Sequence, residues 1–134
     1  MEWQAYVDNA LVAHSAISKA GIFGINVAVD RNAHCVEKWA SNNFDPSSEE
    51  LKVVLTSFID PHLIVAHGLY LEGVKYVCLS TNTSTILGKR SASGCVAIKT
   101  ARCIIIAIYD SSKNAQNALC AVIRLADYLR ANEF

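Results

Sequence analysis

Between Cys103 and Ile108 the chain runs CIIIAI without a single polar position. β-Branched residues at this density favour a strand, and a strand with no polar face must be central and covered on both sides. Shorter patterns precede it. Ile64 to Leu71 meets Val74 to Ser80 across Glu72-Gly73, a two-residue hairpin turn in which glycine supplies the positive φ. Asn82-Thr83 turns into Ser84 to Lys89, Ser91 to Gly94 leads into Val96 to Thr100, and Ala101-Arg102 reverses into Cys103 to Tyr109. Connections this short join only antiparallel neighbours, so this half of the chain is a meander. Nearer the N-terminus, Ile22 to Val29 and Cys35 to Ala40 read as two further strands around the polar turn Asp30-Arg31-Asn32.

Three segments carry helical periodicity instead. In the last, Asn114 to Phe134, a step of about 100° per residue gathers Ala115, Ala118, Leu119, Val122, Ala126 and Leu129 on one stripe. Tyr128 falls roughly a third of a turn away by the same step, beside Leu125, with Arg124 further round the polar side. The opening MEWQAYVDNALVAH, wound as a helix, aligns Trp3, Tyr6, Val7, Ala10 and His14. The third begins near Asp45-Pro46. Asp45 can cap it with Pro46 in the first turn, or Ser47 and Glu50 can form a capping box one frame later. Leu51, Val54, Leu55 and Phe58 give this helix a buried stripe, and Asp60-Pro61 ends it. The pattern therefore predicts an α+β fold: an antiparallel central sheet, a meander, covered by helices on both faces, with the N- and C-terminal helices adjacent. No linker or repeat divides residues 1–134, so one domain is expected.

Composition narrows the functional classes. Apolar residues make up 52% and charged ones 18%, which excludes disorder. The formal net charge is zero, so no global field recruits nucleic acid. Five cysteines, Cys35, Cys78, Cys95, Cys103 and Cys120, include no C-x-x-C pair and lie mostly in apolar runs, as reduced thiols of a cytoplasmic protein would. The opening residues lack a signal-peptide pattern, and the longest apolar run is too short to span a bilayer, so an integral membrane protein is not expected. Catalysis is poorly served as well. His34 and Cys35, the nearest approach to a base and nucleophile, are strand neighbours that point to opposite faces. No nucleophile elbow, P-loop or G-x-G-x-x-G occurs, Gly21 and Gly24 are an accident of spacing, and His14, His34, His62 and His67 lack metal-ligand spacing. We expect no enzyme, no metal and no cofactor.

What remains unexplained is the aromatic residues at the two chain ends. Trp3 and Tyr6 on a short terminal helix are either core residues or the walls of a cleft. A polyproline II helix is met by such walls, because it is already extended and its carbonyls are free.

WQAYVDN at one end, then KAGIFG, Trp39, DPSSEEL, GLYLEGVKY and the closing LADYL resemble the profilin family, in order and from end to end. The resemblance implies the fold just derived. It also implies a monomer that binds monomeric actin and proline-rich ligands and regulates actin polymerisation. The proline-rich site would comprise Trp3, Tyr6, Trp39, Tyr128 and Phe134. The actin face, formed by the late strands and the start of the last helix, would comprise Cys78, Lys89, Arg90, Lys99, Lys113, Asn114 and Arg124, with Cys78 as its apolar centre. Phosphoinositide headgroups are a further implied ligand of the same cations. Three features depart from the family pattern: the hairpin between Ile22 and Trp39 is longer, SSKNAQNALC lacks the glycine and paired lysines of some members, and Arg124 stands where an acid can occur. The alternative is an adaptor of the same fold that keeps the proline-rich site with weak or no actin binding.

Overall fold

A computed structural model describes residues 2–12, 16–27 and 34–134. Among the described residues seven strands form one antiparallel sheet in the order β2-β1-β7-β6-β5-β4-β3. They are β1 (Lys19–Val27), β2 (His34–Asn42), β3 (Leu69–Leu71), β4 (Val74–Thr81), β5 (Thr85–Arg90), β6 (Ser93–Lys99) and β7 (Cys103–Tyr109). From β3 to β7 each strand pairs with its successor, as the short turns require. β7 then pairs with β1, from Lys19 opposite Ile108 to Gly24 opposite Cys103. The expected turn at Asp30-Arg31-Asn32 lies outside the described residues.

Every residue of β7 is buried, and alternation divides them between two cores. Cys103, Ile105, Ala107 and Tyr109 face the terminal helices, together with Ile22, Val96 and Ile98. Ile104, Ile106 and Ile108 face the middle helices, with Phe23, Leu55, Phe58 and Ile64. A fully buried isoleucine stabilises the fold by roughly 1.5–3 kcal/mol, so a strand with nothing polar to expose belongs in the sheet's centre.

The middle helix α2 (Ser48–Ser57) takes the later of its two possible starts. Ser47 accepts from the Glu50 N–H at 3.1 Å, and Glu50 accepts from the Ser47 N–H at 2.8 Å. The expected strand from Ile64 to Leu71 is corrected. His62–His67 instead forms a short helix, α3, and only Leu69–Leu71 is extended. Pro61 opens that turn, its carbonyl accepting from the Val65 N–H, and Gly68 at φ +88° closes it. A six-residue segment with only four apolar positions fits either period, and here proline and glycine at its ends decide.

The terminal helices also differ from a plain 3.6-residue reading. Trp3–Ala5 (α1) is one α-turn that widens into a π-helical stretch, Tyr6–Val12. The wider i→i+5 winding sends Val7 and Leu11 into the core and leaves Trp3, Tyr6 and Ala10 half-buried on its shoulder. After a single 3₁₀ turn at Ser112–Asn114, α4 (Ala115–Ala131) buries Ala118, Ala121, Val122, Leu125, Ala126 and Leu129. Its stripe is thus rotated from the expected one: Ala121 and Leu125 go in, while Ala115 and Leu119 sit at the margin.

Candidate functional site

The shoulder of the N-terminal helix faces the end of α4, and the rings of both chain ends meet there. Trp3 stacks on Trp39 with centroids 4.5 Å apart and planes 28° from parallel. Phe134 meets both edge-on, 5.0 Å from Trp3 and 6.4 Å from Trp39. Tyr6 lies 6.0 Å from Trp3 on one side and 5.8 Å from Tyr128 on the other. Offset and edge-to-face pairs of this kind contribute about 0.5–1.5 kcal/mol each beyond area burial. Four of the five rings are half-buried, and Tyr128 is 49% exposed, so the cluster is neither core nor scattered surface.

Trp39 comes into line through a β-bulge. Ile22 pairs with Ala40 and Phe23 with Lys38, which leaves Trp39 without a partner on β1 and turns its side chain toward the terminal helices. Its indole lies over Gly24, where any Cβ would overlap the ring. The glycine spacing that looked accidental in the sequence is therefore a seat for this tryptophan.

Phe134 is held by its main chain. Glu133 turns back at φ +70°, the Phe134 N–H donates to the Leu129 carbonyl at 2.8 Å, and the Phe134 carbonyl accepts from the Arg102 N–H at 2.7 Å. The Arg102 guanidinium lies 5.7 Å from the centre of the same ring. On the opposite flank the hydroxyls of Tyr6 and Tyr128 stand 3.5 Å apart, and this hydrogen bond raises the Tyr6 pKa by favouring its neutral form. Beyond them opens a groove of about 290 Å³ lined by Tyr6, Ala10, Ala121, Arg124, Leu125 and Tyr128.

The seven residues expected on a second surface do not lie together. Cys78 packs against the core of the middle helices, so it does not present the expected apolar centre. By alternation Arg90 shares a face of β5 with Ile86 of that same core, and Lys99 lines a cleft there with Ile25, Leu55 and Ile59. Arg124 borders the aromatic groove. What remains is Lys89 on β5, opposite Val77, with Lys113 and Asn114 at the start of α4.

Between these stands a patch that the sequence reading missed. Val77 and Leu79 are 61% and 59% exposed. Leu79 borders a shallow hollow of about 140 Å³ with Leu87, Tyr109, Ala115, Gln116 and Leu119. A signal existed, since Tyr76 and Cys78 fill one face of β4 while Val77 and Leu79 leave the other face apolar too.

Chemistry of other kinds is thinly supplied. Burial pushes the Cys95 thiol up to about 12, away from a reactive thiolate. Among the described residues no three His, Cys, Asp or Glu side chains gather as a metal site requires. The side chains of His34 and Cys35 lie outside the described residues, as does His14. No helix among them is long and apolar enough to cross a membrane.

Comparison with known proteins places the sequence and the fold. The chain is 32% identical over 134 residues to profilin-A of Physarum polycephalum, covering all of both chains. Its fold superposes on Acanthamoeba castellanii profilin II with a TM-score of 0.87 at 29% identity, covering 98% of this chain and 99% of that one. It also matches mouse profilin IIa, in complex with a double repeat from the FH1 domain of mDia1, with a TM-score of 0.76 at 17% identity over the whole of both chains. The profilin family model itself matches residues 1–134, and with rings from both chain ends gathered on one flank of a seven-stranded sheet, the chain belongs to the profilin family.

Proposed function

We propose that this protein binds monomeric actin on one face and proline-rich segments on another, and so regulates actin polymerisation in the cytoplasm. The observation that carries the reading is the half-buried cluster of Trp3, Tyr6, Trp39, Tyr128 and Phe134. Pyrrolidine rings of a polyproline II helix stack on its flat walls. The indole N–H and tyrosine O–H groups donate to ligand carbonyls that the helix itself leaves free. A groove this shallow and mainly aromatic supports an affinity of about 1 μM, suited to a reversible contact. The complex of mouse profilin IIa with an FH1 repeat supports a polypeptide ligand on this fold.

For actin, family membership and the Val77, Leu79, Leu119 patch support the reading. Lys89, Lys113 and Asn114 supply its polar margin, an apolar centre with a polar rim being the common anatomy of protein interfaces. For phosphoinositide headgroups the cations on offer are dispersed, so such a contact is weak and screened by salt.

The test uses the two tryptophans, Trp3 and Trp39, as reporters. Their fluorescence responds to added polyproline, and stoichiometric protein slows spontaneous actin polymerisation. Tyr6→Asp abolishes the first response and keeps the second. Loss of both would make Tyr6 a structural residue and remove the cleft reading. An unchanged rate of polymerisation with the wild-type protein would leave only the adaptor.

A further inference from the structure

The ring cluster gives way, past the Tyr6–Tyr128 hydroxyl pair, to the 290 Å³ groove. Ala10, Ala121 and Leu125 make its floor apolar, and its one formal charge is Arg124. That guanidinium has no carboxylate partner among the described residues. The nearest acid along the helix, Asp127, pairs with Arg130 at 3.3 Å. Asp8, on the helix opposite, accepts from Gln4 and Asn42 at 3.0 Å each. Arg124 is exposed at the edge of this apolar wall, and its planar fork matches a carboxylate. Groove and cleft are also within one ligand's reach. Polyproline II advances about 3.1 Å per residue. The ring centres of Tyr6 and Tyr128 are 5.8 Å apart, so a residue or two beyond the last stacked proline arrives over the groove.

We infer that this groove is a specificity subsite for the residues flanking a proline run: an apolar side chain rests on its floor, and an aspartate or glutamate meets Arg124. The subsite rests on the proline-rich reading of the rings. It ranks ligands by their flanks, favouring acidic ones and penalising lysine or arginine there.

The experiment titrates tryptophan fluorescence with decaproline and with decaproline extended by Leu-Glu, Leu-Gln or Leu-Lys. The same residues in mirrored order are added at the N-terminal end in a second set. In one of the two orientations the acidic peptide binds roughly two- to fivefold tighter than its glutamine counterpart at low salt, the size of a partly exposed ion pair. That gain shrinks as salt is raised. It disappears in Arg124→Gln, and in Arg124→Glu the preference passes to the lysine peptide. A glutamate advantage absent from both orientations, or one that survives Arg124→Gln, overturns the subsite. If decaproline itself produces no response, the underlying proline-rich reading fails, and that outcome is separate because it needs no flank. Ratios are taken within each variant, after its melting curve shows it folded.

Discussion

Gly24 has no side chain, and the Trp39 indole occupies the space this leaves. Gly24→Val forces the ring out of its stack with Trp3, which removes one wall of the cleft. Losing one aromatic pair of about 0.5–1.5 kcal/mol predicts roughly two- to tenfold weaker polyproline binding. Fluorescence titration measures the loss, and a melting curve separates it from unfolding. Binding at wild-type strength would show that the seat of Trp39 does not matter to the cleft. Four of the five rings were legible in the sequence because each lies at a chain end with helical spacing around it; Trp39 entered the set only through the family resemblance. Its direction depends on a bulge defined only when β1 and β2 pair, and no local pattern records which residue a bulge leaves over. Arg124 was assigned to the actin face by the resemblance alone; that it borders the aromatic groove was not legible, since a helical wheel does not show which neighbouring element lies beyond the polar edge.

Glu50 shows how one carboxylate joins two elements. Besides the Ser47 N–H, it accepts from Glu72 N–H at 2.9 Å and Gly73 N–H at 2.8 Å, pinning the β3–β4 turn to the start of α2. That turn holds both central residues at positive φ, 54° and 76°, the geometry a tight two-residue hairpin needs. Partial burial alone would raise the Glu50 pKa, but the N–H donors from Gly73, Ser47 and Glu72 outweigh it and lower the value. The folded state therefore prefers the carboxylate. Its stability contribution is present above the unfolded pKa and fades as pH falls through the depressed folded value. Glu50→Gln keeps the shape and loses the charge, and predicts about 1–3 kcal/mol of destabilisation at pH 7. The difference from wild type shrinks toward pH 3 in denaturant titrations; a gap independent of pH would sink the account. The capping box was readable from S-x-x-E, whereas the hairpin anchor was not, because Glu50 and Gly73 meet only in the folded chain. α3 was misread for a related reason: HLIVAH is too short for its period to decide, and Pro61 and Gly68 settle it from outside.

At the scale of the molecule, the sheet separates what the sequence had run together. The run from Cys103 to Ile108 announced a central strand, and the short turns fixed its order up to β7. The closure of β7 on β1 brings the terminal helices onto one face and the middle pair onto the other. Residues adjacent in sequence then serve different surfaces: Cys78 belongs to the middle-helix core, while Val77 and Leu79 stand in solvent on the other side. A surface centred on this pair, with Lys89 beside it, lies apart from the ring cluster, so the two proposed ligands engage different parts of the chain. Val77→Asp puts a charge in the middle of the apolar patch without touching either core. Actin-monomer affinity is expected to fall at least tenfold, about 1.4 kcal/mol, by sedimentation or polymerisation assay, while the polyproline fluorescence response stays at its wild-type value. Cys78→Ser, one residue along and facing inward, is expected to lower the melting temperature and spare actin affinity per folded molecule. If that pair of outcomes were exchanged, the alternation assigned to β4 would be inverted, and the actin-facing surface would have to be sought on the side of α2 and α3.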